Sequence, residues 1–210
     1  MPLIVKKYLS FFFGLILASS FIIGRTIRDW NFQKVISLIF GAFIAFIITR
    51  LSPVENPESL FYIFISGAIA ICAMVLPGVS GSFILLLMGS YTLILKALNE
   101  LNFTVVLVFS CGCLIGLLSF ARLLSKLFKS YRDLTIAVLT GFLIGSIDKV
   151  WPWKIVVLTR VDSSGAIVPF IEKSVMPYHF EGDPKILLAL SLSAVGFCLV
   201  YALNRISTKN

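Results

Sequence analysis

The sequence has few of the groups that enzyme chemistry needs. Only 13% of its 210 residues are charged, and His179 is the single histidine. No pair of carboxylates lies within an apolar segment, and no histidine and glutamate spacing is typical of a zinc site. Acid–base and metal catalysis both depend on such groups. We therefore expect no enzymatic activity, no bound metal, no other cofactor and no nucleic-acid partner.

Cysteine is also scarce. The four cysteines all lie in apolar runs, where a thiol behaves as a small hydrophobic side chain. Cys111 and Cys113 are two residues apart and point to different faces of a helix, which argues against a shared metal site. We expect four structural thiols.

The sequence is rich in long apolar segments. Hydrophobic residues make up 59% of the chain, and the mean hydropathy of +1.01 is that of a chain whose solvent is lipid. We predict an all-α, multispan integral membrane protein that forms a single transmembrane domain over residues 1–210. Its apolar segments are 8–24, 35–48, 60–76, 83–95, 103–121, 134–147 and 186–203.

One polar break interrupts the apolar stretch 60–95. Proline and glycine disfavour a continuous helix there, and freed backbone groups at membrane depth need protein, water or a ligand as partner. The break either only turns a hairpin, or binds an anion through serine hydroxyls and the amides of a half-helix that begins near Ser82. This hexapeptide is the candidate site: Pro77, Gly78, Val79, Ser80, Gly81 and Ser82.

Charge placement predicts the topology. Connections 25–34 and 122–133 and the tail after residue 203 carry three, four and two basic residues, so by the positive-inside rule they face the cytoplasm. They share one side only if 60–95 forms a re-entrant or broken helical hairpin around Pro77 to Ser82. Residues 148–185 then form an external loop, with a short strand predicted over 155–161. Lys6 falls on the external side, against the rule.

Two further residue types have more than one interpretation. Arg122 ends its span at the cytoplasmic side, where it is either an interfacial anchor or a second phosphate ligand. Trp151 and Trp153 follow the short segment 134–147, and tryptophans at the end of a span are typical of the interfacial aromatic belt.

Three stretches resemble a bacterial family of polyprenyl-phosphate transporters. The sequence LPGVSGSFILLLMGSY over 76–91 is similar to the family signature, GFLIGS over 141–146 followed by WPW over 151–153 resembles a second stretch, and FFFGLILAS over 11–19 resembles a third. A glutamate that often follows the signature tyrosine is absent after Tyr91, which removes a carboxylate from that point.

The resemblance implies a flippase of the bacterial plasma membrane that returns undecaprenyl phosphate, the carrier lipid of cell-envelope synthesis, for reuse. The hexapeptide would then face the phosphate. Family members resemble a duplicated protein whose first half has its own Pro-Gly-Val-Ser-Gly copy, and no second copy occurs here. We therefore expect an N-terminal repeat to be missing, with a homo-oligomer or a complementing chain as partner. The alternative is a non-transporting membrane subunit or a truncated relic.

Overall fold

Helices dominate the computed structural model, which describes residues 3–51, 59–161, 167–180 and 183–207. Four of the helices are long and apolar enough to cross a membrane, and one pair of short helices forms a bent unit. The prediction of an all-α multispan protein is confirmed. The α-helices of the described part are α1 (Leu3–Arg25), α2 (Phe32–Arg50), α3 (Leu60–Val75), α4 (Gly81–Leu87), α5 (Ser90–Asn99), α6 (Phe103–Ser130), α7 (Arg132–Gly145) and α8 (Ile186–Ser207).

The chain divides into two compact units. One is Thr26–Ser146, which contains α2 to α7, and the other combines Met1–Arg25 with Ile147–Asn210. The second unit contains an antiparallel hairpin of β1 (Lys154–Val161) and β2 (Ile167–Ser174). The short strand predicted over 155–161 is therefore confirmed. The single domain over 1–210 and the external side of 148–185 stay predictions.

Glycines allow the paired helices of the first unit to approach each other closely. A Cβ built on Gly141 would overlap the backbone carbonyl of Leu38, and one on Gly112 would overlap that of Phe64. Helix backbones approach this closely only where one of them lacks a side chain. The small-residue spacings at 112 and 116 and at 141 and 145 therefore serve close contact between helices.

The direction of these pairs decides the topology of the hairpin. Gly112 meets Phe64 and Gly116 meets Ala68, so residue numbers rise together and α3 and α6 run parallel. If α3, α4 and α5 formed one kinked span, α6 would have to return antiparallel to α3. The parallel pair instead requires α3 to begin and α5 to end on the same side of the membrane. The predicted re-entrant or broken helical hairpin is therefore confirmed.

Helices α2 and α7 are also joined by an ion pair at their first turns. Lys34 Nζ donates to Asp133 Oδ2 at 2.8 Å, and the two side chains are only 13% and 23% exposed. Lys34 also donates to the backbone carbonyl of Asp29 at 2.9 Å. The hydrogen bond from Lys34 holds the pKa of the Asp133 carboxyl below its ordinary value of 3.8.

Asp133→Asn should lower the melting temperature at neutral pH and remove part of the protein's sensitivity to acid. Because the folded-state pKa of Asp133 is depressed, its contribution to stability is present above pH 3.8 and lost as pH falls through the lower folded-state pKa. Thermal unfolding of the detergent-solubilised chain between pH 7 and pH 3 measures this. Glu100→Gln is the control, because the exposed Lys96–Glu100 pair spans 3.9 Å and contributes little. Equal acid sensitivity of Asp133→Asn and wild type would contradict the assignment.

In the second unit, the Ser193 hydroxyl donates to the Ser10 carbonyl and Gly196 lies against Leu15, so residue numbers rise together and α1 and α8 are parallel. Lys6 lies buried in α1, where its ammonium donates to the Asp183 carbonyl at 2.9 Å and sits 3.6 Å from the centre of the Phe180 ring. The carbonyl and the aromatic ring thus stabilise the charged ammonium within the protein. Lys6 therefore joins α1 to the segment before α8. This contact inside the protein explains its predicted departure from the positive-inside rule.

The tryptophans of this unit pack within the protein. Trp153 is only 6% exposed and its indole donates to the Pro184 carbonyl, while the indole of Trp151 donates to Val175. Their rings meet edge to face at 5.4 Å. The predicted place of Trp153 in an interfacial belt was wrong, because the residues after β2 supply the partners that a membrane interface would otherwise supply.

Candidate functional site

The hexapeptide begins with a tight turn. Leu76 leaves the helical conformation after α3, and the amide of Val79 donates back to the Leu76 carbonyl at 3.4 Å. Gly78 has a φ of +86°. Proline followed by a glycine of positive φ is typical of a type II turn. The first three residues of the hexapeptide thus reverse the chain, as the Pro-Gly pair predicts.

The last three residues of the hexapeptide start α4. Ser80 is the N-cap residue, and its carbonyl accepts the first helical hydrogen bond from the Ile84 amide at 3.1 Å. The hydroxyls of Ser80 and Ser82 are 2.9 Å apart, and both residues are exposed. These two hydroxyls are the polar side chains that the break presents.

Gly81 packs against α3. It is buried, and a Cβ built on it would lie 2.9 Å from the carbonyl oxygen of Ala70 in α3. Gly81 therefore allows α4 to lie against α3. Helix α4 also has only seven residues, so its dipole is weaker than that of the longer half-helix predicted over 83–95.

The tip of the hairpin lies near the middle of the neighbouring span. A Cβ built on Gly78 would overlap the Ser146 hydroxyl and lie 3.2 Å from the Phe142 carbonyl. Gly145, next to Ser146, packs on Ala42, which is near the middle of α2. The hexapeptide and the end of α7 therefore meet beside α2, which is a candidate membrane span.

A second break was missed by the sequence analysis. Helices α4 and α5 meet at an angle of 107° at Met88 and Gly89, and Gly89 has a φ of +69°. The Tyr62 hydroxyl donates to the Met88 carbonyl at 2.9 Å, and Ser66 and Ser90 share a buried hydrogen bond of 2.9 Å. The Tyr62 bond gives a partner to the carbonyl that the break frees, and the serine bond joins α5 to α3. The Gly89-Ser90 pair was the local signal, but apolar neighbours on both sides hid it.

Arg122 lies exposed on α6. The contact between Gly116 and Ala68 sets the register of α6 on α3, and the same offset places Arg122 level with Met74, in the last turn of α3. The arginine is therefore near the depth of the hexapeptide on the adjacent helix. Its role as an anchor or as a phosphate ligand stays a prediction.

Apolar side chains surround the serine pair. Ala73, Ile84 and Leu87 form a buried cluster, and Ile48, Val79, Phe83 and Met88 pack against it. In such surroundings two hydroxyl donors favour a ligand that combines an anionic or polar head with an apolar tail. The arrangement has the chemistry of a lipid headgroup site.

Comparison with known proteins identifies the family. Residues 3–168, most of the chain, match a family model described as undecaprenyl phosphate translocase-like. The chain belongs to this family. The resemblance noted from the three motifs is thus confirmed, and together with the apolar helices it identifies a multi-pass protein of the bacterial inner membrane.

Two relatives carry the name polyprenyl-phosphate transporter. The protein from Vibrio cholerae is 45% identical over 204 residues, which cover 95% of this chain and 66% of the Vibrio protein. The protein from Staphylococcus aureus is 36% identical over 95 residues, which cover 42% of this chain and 34% of its own length. The chain thus spans about two thirds of the length of the Vibrio relative. No solved structure matches the chain.

Proposed function

We propose that this protein takes part in moving a polyprenyl phosphate across the bacterial inner membrane, and that the hexapeptide binds the phosphate. The observation that carries the proposal is the exposed pair Ser80 and Ser82, held at the turn of a helical hairpin that packs beside a candidate membrane span. The family match and the names of the two relatives support it. The protein would act as a carrier, and the transport makes or breaks no covalent bond.

The physical case rests on what a phosphate needs inside a membrane. A charged headgroup that leaves water loses its hydration, so a carrier has to offer donors at that depth. The two serine hydroxyls share one hydrogen bond and can turn toward phosphate oxygens when a lipid arrives. The amides of Gly81 and Ser82 lie in the first helical turn, where no intrahelical acceptor exists. Arg122 would add a bidentate donor from α6.

The apolar part of the substrate has a matching surface. The side chains next to the serines, Val79 and Phe83, are apolar and only partly buried. A prenyl chain can contact these side chains while its phosphate contacts the hydroxyls. The site should therefore distinguish the phosphorylated lipid from its alcohol by the headgroup alone.

Ser80→Ala with Ser82→Ala should reduce the affinity for undecaprenyl phosphate about tenfold, because hydrogen bonds to a charged group contribute about 1.5 to 3 kcal/mol each before compensation by other donors. Affinity for undecaprenol should change little. The measurement is lipid binding to the purified full chain, with thermal unfolding as the check on folding.

Ser37→Ala is the matched control for this pair. Ser37 lies on α2 in the same unit, and its hydroxyl donates to the Gln33 carbonyl of its own helix at 2.9 Å. It should bind undecaprenyl phosphate as wild type does. If the double serine variant folds and keeps the full preference for the phosphorylated lipid over the alcohol, the hexapeptide is only a turn and the proposal fails.

A further inference from the structure

The end of the hairpin away from the hexapeptide contains a separate cleft. It lies between the first turns of α3 and α6 and the last turns of α5, and its volume is about 470 Å³. This volume is within the range of small-molecule sites. One wall is apolar and includes Leu60 and Leu93, while the rim carries four polar side chains: Thr92, Lys96, Glu100 and Asn102.

The rim offers donors and an acceptor together. Lys96 Nζ and Glu100 Oε1 are 3.9 Å apart, and their side chains are 73% and 61% exposed. An exposed pair at this distance stabilises little, so both charges can bind a ligand at small cost. The Asn102 side-chain oxygen caps α6 by accepting from the Val105 amide. The NH2 group of the Asn102 side chain is therefore directed away from the helix.

Apolar side chains beside the rim indicate that lipid surrounds it. Leu101 has a φ of +53° and is 68% exposed, and the next apolar residue, Phe103, is 76% exposed. Large apolar side chains at a turn between membrane helices are typical of residues that contact lipid. The cleft therefore adjoins an exposed apolar surface, which in a multispan membrane protein is typical of a surface that lipid covers.

We propose that this cleft binds a phospholipid with a zwitterionic headgroup. Its phosphate would accept from Lys96, Thr92 and Asn102, its ammonium would donate to Glu100, and an acyl chain would lie along Leu60 and Leu93. The charge of the rim selects this class, because Glu100 opposes an anionic headgroup while Lys96 attracts the phosphate. A polyprenyl phosphate, which has no cationic group, fits the rim less well than such a phospholipid.

Site-specific crosslinking tests the proposal. The full chain with benzoylphenylalanine in place of Leu93 is placed in nanodiscs of equal phosphatidylethanolamine and phosphatidylglycerol, and the crosslinked lipids are identified by mass spectrometry. Phosphatidylethanolamine adducts should exceed the bulk ratio about threefold, as expected for one exposed charge contact. Benzoylphenylalanine in place of Leu114, which is 60% exposed on α6, should report the bulk ratio. Exposed Thr92 serves as a second position if the Leu93 variant does not fold.

Substitutions in the rim then distinguish the role of Glu100 from that of Lys96. Glu100→Gln should remove the enrichment and shift the adducts toward phosphatidylglycerol, whereas Lys96→Gln should reduce adducts of both lipids. Lys129→Gln, on an exposed part of α6, should change neither. A bulk ratio at position 93 in the folded protein, or an unchanged ratio in Glu100→Gln, overturns the proposal. Displacement of phosphatidylethanolamine by added undecaprenyl phosphate would also overturn it, because the cleft would then belong to the carrier site.

Discussion

Gly78→Ala should destabilise the first unit by about 2 to 5 kcal/mol and abolish phosphate-dependent lipid binding. Two physical terms add. A side chain at a φ of +86° costs about 1 to 2 kcal/mol, and the new Cβ would overlap the Ser146 hydroxyl at the end of α7, which adds about 1 to 3 kcal/mol of overpacking. The turn would move away from α7, and the serine pair would move with it.

A double substitution separates these two terms. Ser146→Ala removes the hydroxyl that the new Cβ would meet but keeps the Cβ of residue 146, which would lie 2.9 Å away. Gly78→Ala with Ser146→Ala should therefore recover part of the steric cost and keep the cost of positive φ. Thermal unfolding gives the stability, and binding of undecaprenyl phosphate against undecaprenol gives the function. If Gly78→Ala alone is as stable as wild type, the turn does not have the conformation described here.

Gly112→Val should separate α3 from α6 and destabilise the first unit by about 3 kcal/mol or more. The neighbour of the added Cβ is the backbone carbonyl of Phe64, which cannot change rotamer to make room. Overpacking against a movable side chain costs about 1 to 3 kcal/mol, and a rigid backbone contact belongs at the upper end of that range. The measurement is thermal or denaturant unfolding in detergent.

Leu114→Val is the matched control on the same helix. Leu114 is 60% exposed toward the region where lipid lies, so its replacement introduces a β-branched residue into α6 without a contact to α3. It should leave the melting temperature nearly unchanged. Equal losses in both variants would show that helix propensity, and not the contact with Phe64, sets the stability.

Much of the fold follows from local chemistry. The apolar segments predicted the helices because a membrane span needs a long run of apolar side chains. The break at Pro77 and Gly78 was predictable because proline removes an amide donor and glycine admits positive φ. The basic connections predicted a hairpin, and the parallel α3 and α6 confirm it.

The details of the candidate site were less accessible. The contact of Gly81 with Ala70 was not predicted. The second break at Met88 and Gly89 was missed because its partners, Tyr62 and Ser66, are on another helix. Both omissions have one cause: the contacts that decide them join residues far apart in the chain.

By itself, therefore, the sequence determined that this is a multispan membrane protein, that its apolar stretch breaks at a Pro-Gly turn, and that the break forms a hairpin. Composition, backbone freedom and charge are properties of single residues and short segments, so they can be read without a fold. Only the tertiary structure decided that the hairpin tip meets the end of α7 near the middle of α2, that Gly81 is a helix contact, and that Trp153 is buried. Those outcomes depend on which backbone surfaces come within van der Waals distance, and that is set by how the helices pack together.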